Sequence, residues 1–191
     1  VVTLSRPLVI WQGATLLIHP GDVLQLQSAG GAFLLNFGKI DLRGATLRSD
    51  VAASQPESTY RPFVLTSGSG QVYAEANRLQ GLGMAGLGPF AGFVISTQGL
   101  FAAIETSVLR ANRFEDLGGV ALIGPKSVEV AQNAFLSSRG GALTLAQIGK
   151  AAVLGNTIYA TRNGAGLRIT ARSQDMLIAG NLVLGGQCNG V

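Results

Sequence analysis

Among the side chains that could hold an anion or move a proton, arginine dominates: 11 of the 14 basic residues are Arg, against one His and one Cys. A guanidinium is planar and pairs bidentately with carboxylate or phosphate, so the bias points to an anionic partner. Arg139, Arg162, Arg168 and Arg172 fall within a few residues of corner glycines, and they are the expected contacts. The lone His19 precedes Pro20 in a turn with no carboxylate or second His to accompany it, and it reads as an exposed turn residue. The carboxylates are scattered, with only Glu115 and Asp116 adjacent, which leaves no calcium site. The single Cys188 excludes an internal disulfide, and no Cys/His cluster offers a zinc site. A G-x-G-x-x-G pattern at Gly81, Gly83 and Gly86 is followed by Gly88 and Pro89, so no helix can start there to hold a pyrophosphate. Neither metal nor cofactor is expected.

The elements that must position these residues show most clearly over residues 107–191. An alternating apolar strand, an Asn, a second short strand, a Gly turn and a third strand recur four times, with Asn112, Asn133, Asn156 and Asn181 spaced by 21, 23 and 25 residues. Such a unit cannot bury its own apolar face and becomes stable only when copies stack, which describes a parallel β-helix. An Asn suits a corner because it tolerates a left-handed backbone and its amide can bond the Asn one rung away. Gly119, Gly141, Gly166 and Gly190 are expected at the opposite corner. Hairpin turns of an antiparallel sandwich would not hold one ordered three-strand unit through four copies.

Earlier segments continue the pattern. Residues 6–26 alternate around Gly13 and a Pro20–Gly21 turn as two or three short strands, Gly44–Leu47 echoes Gly13–Leu16, and Asn77 takes the Asn position. Residues 51–60 read as a protruding loop, and residues 81–93 as a loop inserted in a rung, because Asn77 and Asn112 are 35 residues apart. The composition agrees: 47% hydrophobic, 13% charged and 27 Gly suit many short strands and tight turns, and a net charge of +4 is a modest anion signal. No apolar run approaches a bilayer span, and Val1–Thr3 lacks signal-peptide character. A mature form or fragment is expected, cut short where a new third strand would begin at Gly190 and Val191.

Three stretches carry a family likeness: GAFLLNFGKIDLRGATLRS (residues 31–49), RPFVLTSGSGQVYAEANRLQGLG (residues 61–83) and the Asn-centred rungs through Arg162. They resemble the periplasmic mannuronan C5-epimerases of alginate-producing bacteria, over roughly residues 6–191. The resemblance implies an all-β chain, a right-handed parallel β-helix of about eight rungs forming one domain over residues 1–191. It also implies a Gram-negative periplasmic location and a groove for a uronate polymer. That family carries an Asp-Pro-His-Asp motif whose His removes the C5 proton; the matching segment, Gly141 to Ala146, has neither His nor Asp. A family Arg that neutralises the substrate carboxylate would fall at Ala171, beside Arg168 and Arg172.

Epimerisation at C5 needs a base, a cation on the carboxylate and an acid on the opposite ring face. With Val120, Ala142 and Leu167 inward, the outward columns become Ala121, Leu143, Arg168 and Ile123, Leu145, Thr170. Ile123, Leu143 and Leu145 then form an apolar surface that residues 81–93 or a partner protein should cover. The resulting expectation is an epimerase-like protein of alginate-type exopolysaccharide biosynthesis or secretion. It would bind an anionic polysaccharide, or another protein of that machinery, without epimerase chemistry. No nucleic acid and no membrane span are expected. The alternative is an active epimerase or lyase using Tyr159, Arg162 or Arg168.

Overall fold

A computed structural model of the chain describes residues 1–85, 88–97, 105–159, 161–170 and 172–185. Gly86, Ala171, Cys188, Gly190 and Val191, singled out above, lie outside them. Short strands follow one another in a strict rotation among three parallel sheets, of eight, seven and seven strands, called here A, B and C. Each turn of chain lays down one strand per sheet, and each strand pairs in parallel with its counterparts one turn away. The result is a right-handed parallel β-helix of seven turns with an eighth strand begun in sheet A.

Three to five residues per strand suffice because alternate side chains point into a shared core and stack on their equals above and below. In sheet A, Leu24, Leu47, Leu79, Phe114, Phe135 and Ile158 form one inward column, in which the rings of Phe114 and Phe135 stack at 4.9 Å. In sheet B the column is Leu34, Val64, Phe93, Val120, Leu143 and Leu167. Burying each such side chain contributes about 1.5–3 kcal/mol, but only once its neighbouring turn is present.

The corner from sheet C to sheet A is held by asparagine. Asn77, Asn112, Asn133, Asn156 and Asn181 form a ladder in which each Nδ2 donates to the next Oδ1 at 2.8–3.0 Å. Each Oδ1 also accepts the backbone N–H of the Asn before it. The left-handed residue is the one preceding each Asn, not the Asn itself: Ala76, Ala111 and Gln132 have φ of 57°, 53° and 58°. Turning the chain one residue early leaves the Asn side chain free to point along the stack.

The opposite corner corrects the glycine alignment. Pairing sets Val120 beside Leu143 and Leu143 beside Leu167, so Gly119, Ala142 and Gly166 are level and Gly141 lies one residue behind. The connection from sheet A to sheet B lengthens from turn to turn, ending at Val120, Leu143 and Leu167 after strands that end at Glu115, Leu136 and Tyr159. A glycine therefore marks that turn without fixing its phase. A slip of one residue exchanges the two faces. Leu143 and Leu145, expected outside, are both 0% exposed in the core, and the outward residues are Ala121, Thr144 and Arg168, then Ile123 and Ala146.

Three strands form over Leu8–Ile10, Thr15–Ile18 and Val23–Leu26, as the alternation predicts. Residues 51–60 leave the stack as a loop, tied down by the Tyr60 hydroxyl donating to the Ala32 carbonyl at 3.0 Å. The long interval after Asn77 is not one loop. Gly92–Ser96 is a full strand of sheet B, so Gly92 and Phe93 belong to a rung and not to the loop expected over residues 81–93.

Candidate functional site

The outer surfaces of sheets A and C carry ion pairs within and between their strands. On sheet A, Arg78 donates to Glu115 at 2.7 and 2.9 Å, and Arg113 pairs with the same carboxylate. On sheet C, Arg43 bonds Asp41 at 2.8 Å and lies 4.8 Å from the Tyr73 ring centroid; Tyr73 donates to Glu75, and Arg110 bridges Glu75 and Glu129. On sheet C opposite charges alternate across adjacent rungs as Arg43, Glu75 and Arg110, whereas on sheet A Arg78 and Arg113 stand side by side and share Glu115.

Sheet B differs. Its outward column runs Leu35, Leu65, Val94, Ala121, Thr144, Arg168, apolar in the early turns and polar in the late ones. Over the apolar half lies a cavity of about 470 Å³ lined by Phe33, Leu35, Tyr60, Phe63, Leu65 and Phe90. Phe33 and Phe63 stack at 4.9 Å, and Phe90 meets Phe63 edge-on at 5.0 Å. Over the polar half lies a second cavity of about 310 Å³, whose side chains are chiefly Ala121, Ile123, Thr144, Asn163 and Arg168 above a glycine-rich floor. The short turn Gly88–Phe90 divides the two, with Phe90 facing the first and Gly88 the second. Gly118 permits this approach: a Cβ there would meet the Ala91 carbonyl oxygen at 2.3 Å.

At the corner from sheet A to sheet B, beside the trough that the two cavities form, lie two buried guanidiniums and one carboxylate. Arg61 donates to the carbonyls of Val51 and Ala52 at 3.3 and 2.9 Å, and Arg139 to those of Leu82 and Gly83 at 2.9 and 2.6 Å. Between them stands Asp116, 3.5 Å from Arg61 and 3.8 Å from Arg139. Burial pushes the Arg61 guanidinium down and that of Arg139 down to about 10, with Asp116 opposing the shift in both. Both remain cations at neutral pH, so the corner carries an excess of positive charge that is costly to bury. Arg162, nearby and exposed, repels both.

The sequence-predicted residues are dispersed by this geometry. Arg139 is 2% exposed and cannot touch a ligand; it holds the carbonyls of Leu82 and Gly83. Arg168 lies in the polar cavity, Arg162 at the corner from sheet A to sheet B, and Arg172 is exposed after sheet B with φ of 71°. These last three belong to one turn of the helix, so they cross the trough instead of forming a ladder along it. Tyr159 is 53% exposed on sheet A, a different sheet from Arg168. Ile123 is half-buried in the polar cavity, whereas Leu143 and Leu145 are core. Thr144 was missed through the one-residue slip. Asn163 was missed because it sits on a connection with no repeat partner; its amide donates to Glu57 of the protruding loop at 3.4 Å. His19 is an exposed turn residue as expected, but a carboxylate does accompany it: its backbone N–H donates to Asp22 at 3.2 Å.

The polar cavity offers a guanidinium, an amide and a hydroxyl, which suit a carboxylate flanked by hydroxyl groups. Among the described residues, no three His, Cys, Asp or Glu side chains gather as a metal site, and no helix is long and apolar enough to cross a membrane.

No protein-family model and no curated protein matches the chain. Solved structures do. The periplasmic alginate epimerase AlgG, crystallised as a Thr-to-Asn mutant, matches 96% of this chain with a TM-score of 0.85 at 18% identity. AlgG without mutation matches 94% with a TM-score of 0.64 at 16% identity. The chain spans about half the length of these structures, 50% and 57%. At such identities the likeness is one of fold: both are parallel β-helices.

Proposed function

We propose that the chain binds an anionic exopolysaccharide of the uronate, alginate type in the trough of sheet B, in a Gram-negative periplasm, without epimerase chemistry. The fold likeness to AlgG and the sequence resemblance support the polymer class and the compartment. The observation that carries the reading is the polar cavity itself: Arg168, Asn163 and Thr144 converge, and no His, Asp, Glu, Lys or Tyr is among the described residues that line it. Removal of a proton alpha to a carboxylate needs a base that titrates in reach of it; a guanidinium remains charged and serves as a binding group.

A uronate carboxylate pairs with Arg168, its hydroxyls with Thr144 and Asn163, and Arg162 and Arg172 flank the same sugar. Sugars further along the axis lie toward Phe33, Phe63 and Phe90, where the apolar faces of the rings can stack. Each exposed ionic contact is worth about 0.2–1 kcal/mol, and salt screens it.

The test is calorimetric titration of oligomannuronate at low and high salt against the wild type and an Arg162→Ala/Arg168→Ala double variant, with parallel incubation in deuterated water. Binding that weakens with salt and in the double variant, with no deuterium at C5, is expected. Deuterium at C5, or unsaturated chain ends, would establish an active epimerase or lyase. Equal affinity for a neutral glucan would move the function to docking of a protein partner.

A further inference from the structure

A second cavity of polar character lies away from the trough, on the corner between sheets B and C of the first four turns. It measures about 460 Å³ and is lined by Gln12 of the first turn, Phe37 and Lys39 of the second, Gln71 of the third and Glu105 of the fourth. Beside it stands Trp11, 68% exposed and stacked on Phe37 with centroids 5.8 Å apart and planes 17° from parallel. The far side of Phe37 is backed by Gly68, where an added Cβ would stand 3.5 Å from the ring. The aromatic pair is thus supported from the Gly68 side, while most of the indole surface is exposed.

The charges of this corner differ from those of the trough. Lys39 lies 3.7 Å from Asp41, and Glu105 accepts from the Gln71 amide. Lys39 and Glu105 cancel, so nothing here draws in a polyanion, and a carboxylate in the cavity would meet Glu105. What remains is an indole face with two carboxamides, Gln12 and Gln71, each with both donor and acceptor capacity. Pyranose rings need this combination: an aromatic surface for their axial C–H face and amides for pairs of adjacent hydroxyls. Four turns are separated by three spacings of about 4.8 Å, a track of about 14 Å, long enough for two to three sugar units.

We propose that this corner is a binding site for a neutral pyranose oligosaccharide, separate from the trough of sheet B. It carries a reporter of its own, because Trp11 is the chain's single tryptophan. Cellotetraose and chitotetraose, titrated while indole emission and acrylamide quenching are followed, should give a saturable blue shift and slower quenching with at least one of the two. Gln12→Ala, at an exposed position, and Gln71→Ala should each weaken that response about tenfold. Tetramannuronate should leave the emission unchanged even where calorimetry detects its binding in the trough, so the two sites fail or succeed independently. An emission unmoved by both neutral sugars, an unchanged affinity in both Gln variants, or a larger shift with tetramannuronate would each overturn the proposal.

Discussion

Replacing Asn133 by Ala tests the device that closes one corner of the helix. The side chain is fully enclosed and makes four hydrogen bonds: its Oδ1 accepts the Asn112 N–H at 2.9 Å and Asn112 Nδ2 at 3.0 Å, and its Nδ2 donates to the Leu109 carbonyl at 2.8 Å and Asn156 Oδ1 at 3.0 Å. Not all partners suffer equally. Asn112 Nδ2 keeps its bond to the Ala74 carbonyl, and Asn156 Oδ1 keeps the Asn133 N–H. The Asn112 N–H is the group left with no acceptor. A buried orphan costs about 1–3 kcal/mol, and a lost bond whose partner stays satisfied about 0.5. The sum is about 3 kcal/mol, which for a chain of this length lowers Tm by about 6–12 °C. Asn181→Ala is the internal control. Asn181 is only partly buried at the last turn, so water replaces what is lost and the expected drop is about a third as large. Thermal unfolding followed by circular dichroism distinguishes the two. A drop of under about 2 °C for Asn133→Ala, or equal drops for both variants, would refute the argument that the ladder stabilises by satisfying buried backbone.

Two further outcomes are expected. If the register of sheet B is as described, Leu145→Ala, in the core, costs about 2–5 kcal/mol, whereas Ile123→Ala, on the trough side, costs under about 1 kcal/mol; a urea titration giving the reverse order would return Leu145 to the surface. Asp41 supplies a pH dependence: its bond from Arg43, opposed by burial and assisted by the charges of Arg43 and Lys39, holds the carboxyl below its ordinary 3.8. A folded-state value below the unfolded one means that this stabilisation is complete above the unfolded value and lost as pH falls through the folded one. Urea midpoints should therefore fall less for Asp41→Asn than for the wild type between about pH 5 and about pH 2; identical profiles would contradict the assignment.

The corner asparagines, the three-strand unit, the protruding loop at residues 51–60 and the parallel stacking were all legible in the chain, for one physical reason. In a solenoid each turn meets only its neighbours, so whatever a corner demands is demanded again about twenty residues on, and Asn112, Asn133 and Asn156 state the demand repeatedly. What did not repeat could not be read this way. The connections from sheet A to sheet B differ in length, so Gly141 announces a turn but not which of Ala142 and Leu143 faces inward; only backbone pairing with Val120 and Leu167 decides it. Arg139 looked like one more exposed guanidinium because its partners are remote in sequence: Asp116 stands one turn back, and the carbonyls of Leu82 and Gly83 belong to an insertion outside the repeat. The trough, likewise, depends on a segment without periodicity folding down over Gly118, where the absence of a Cβ leaves room for it. Local, repeated constraints are written in the order of the residues, whereas phase across unequal loops and contacts between distant turns exist only once the stack has closed.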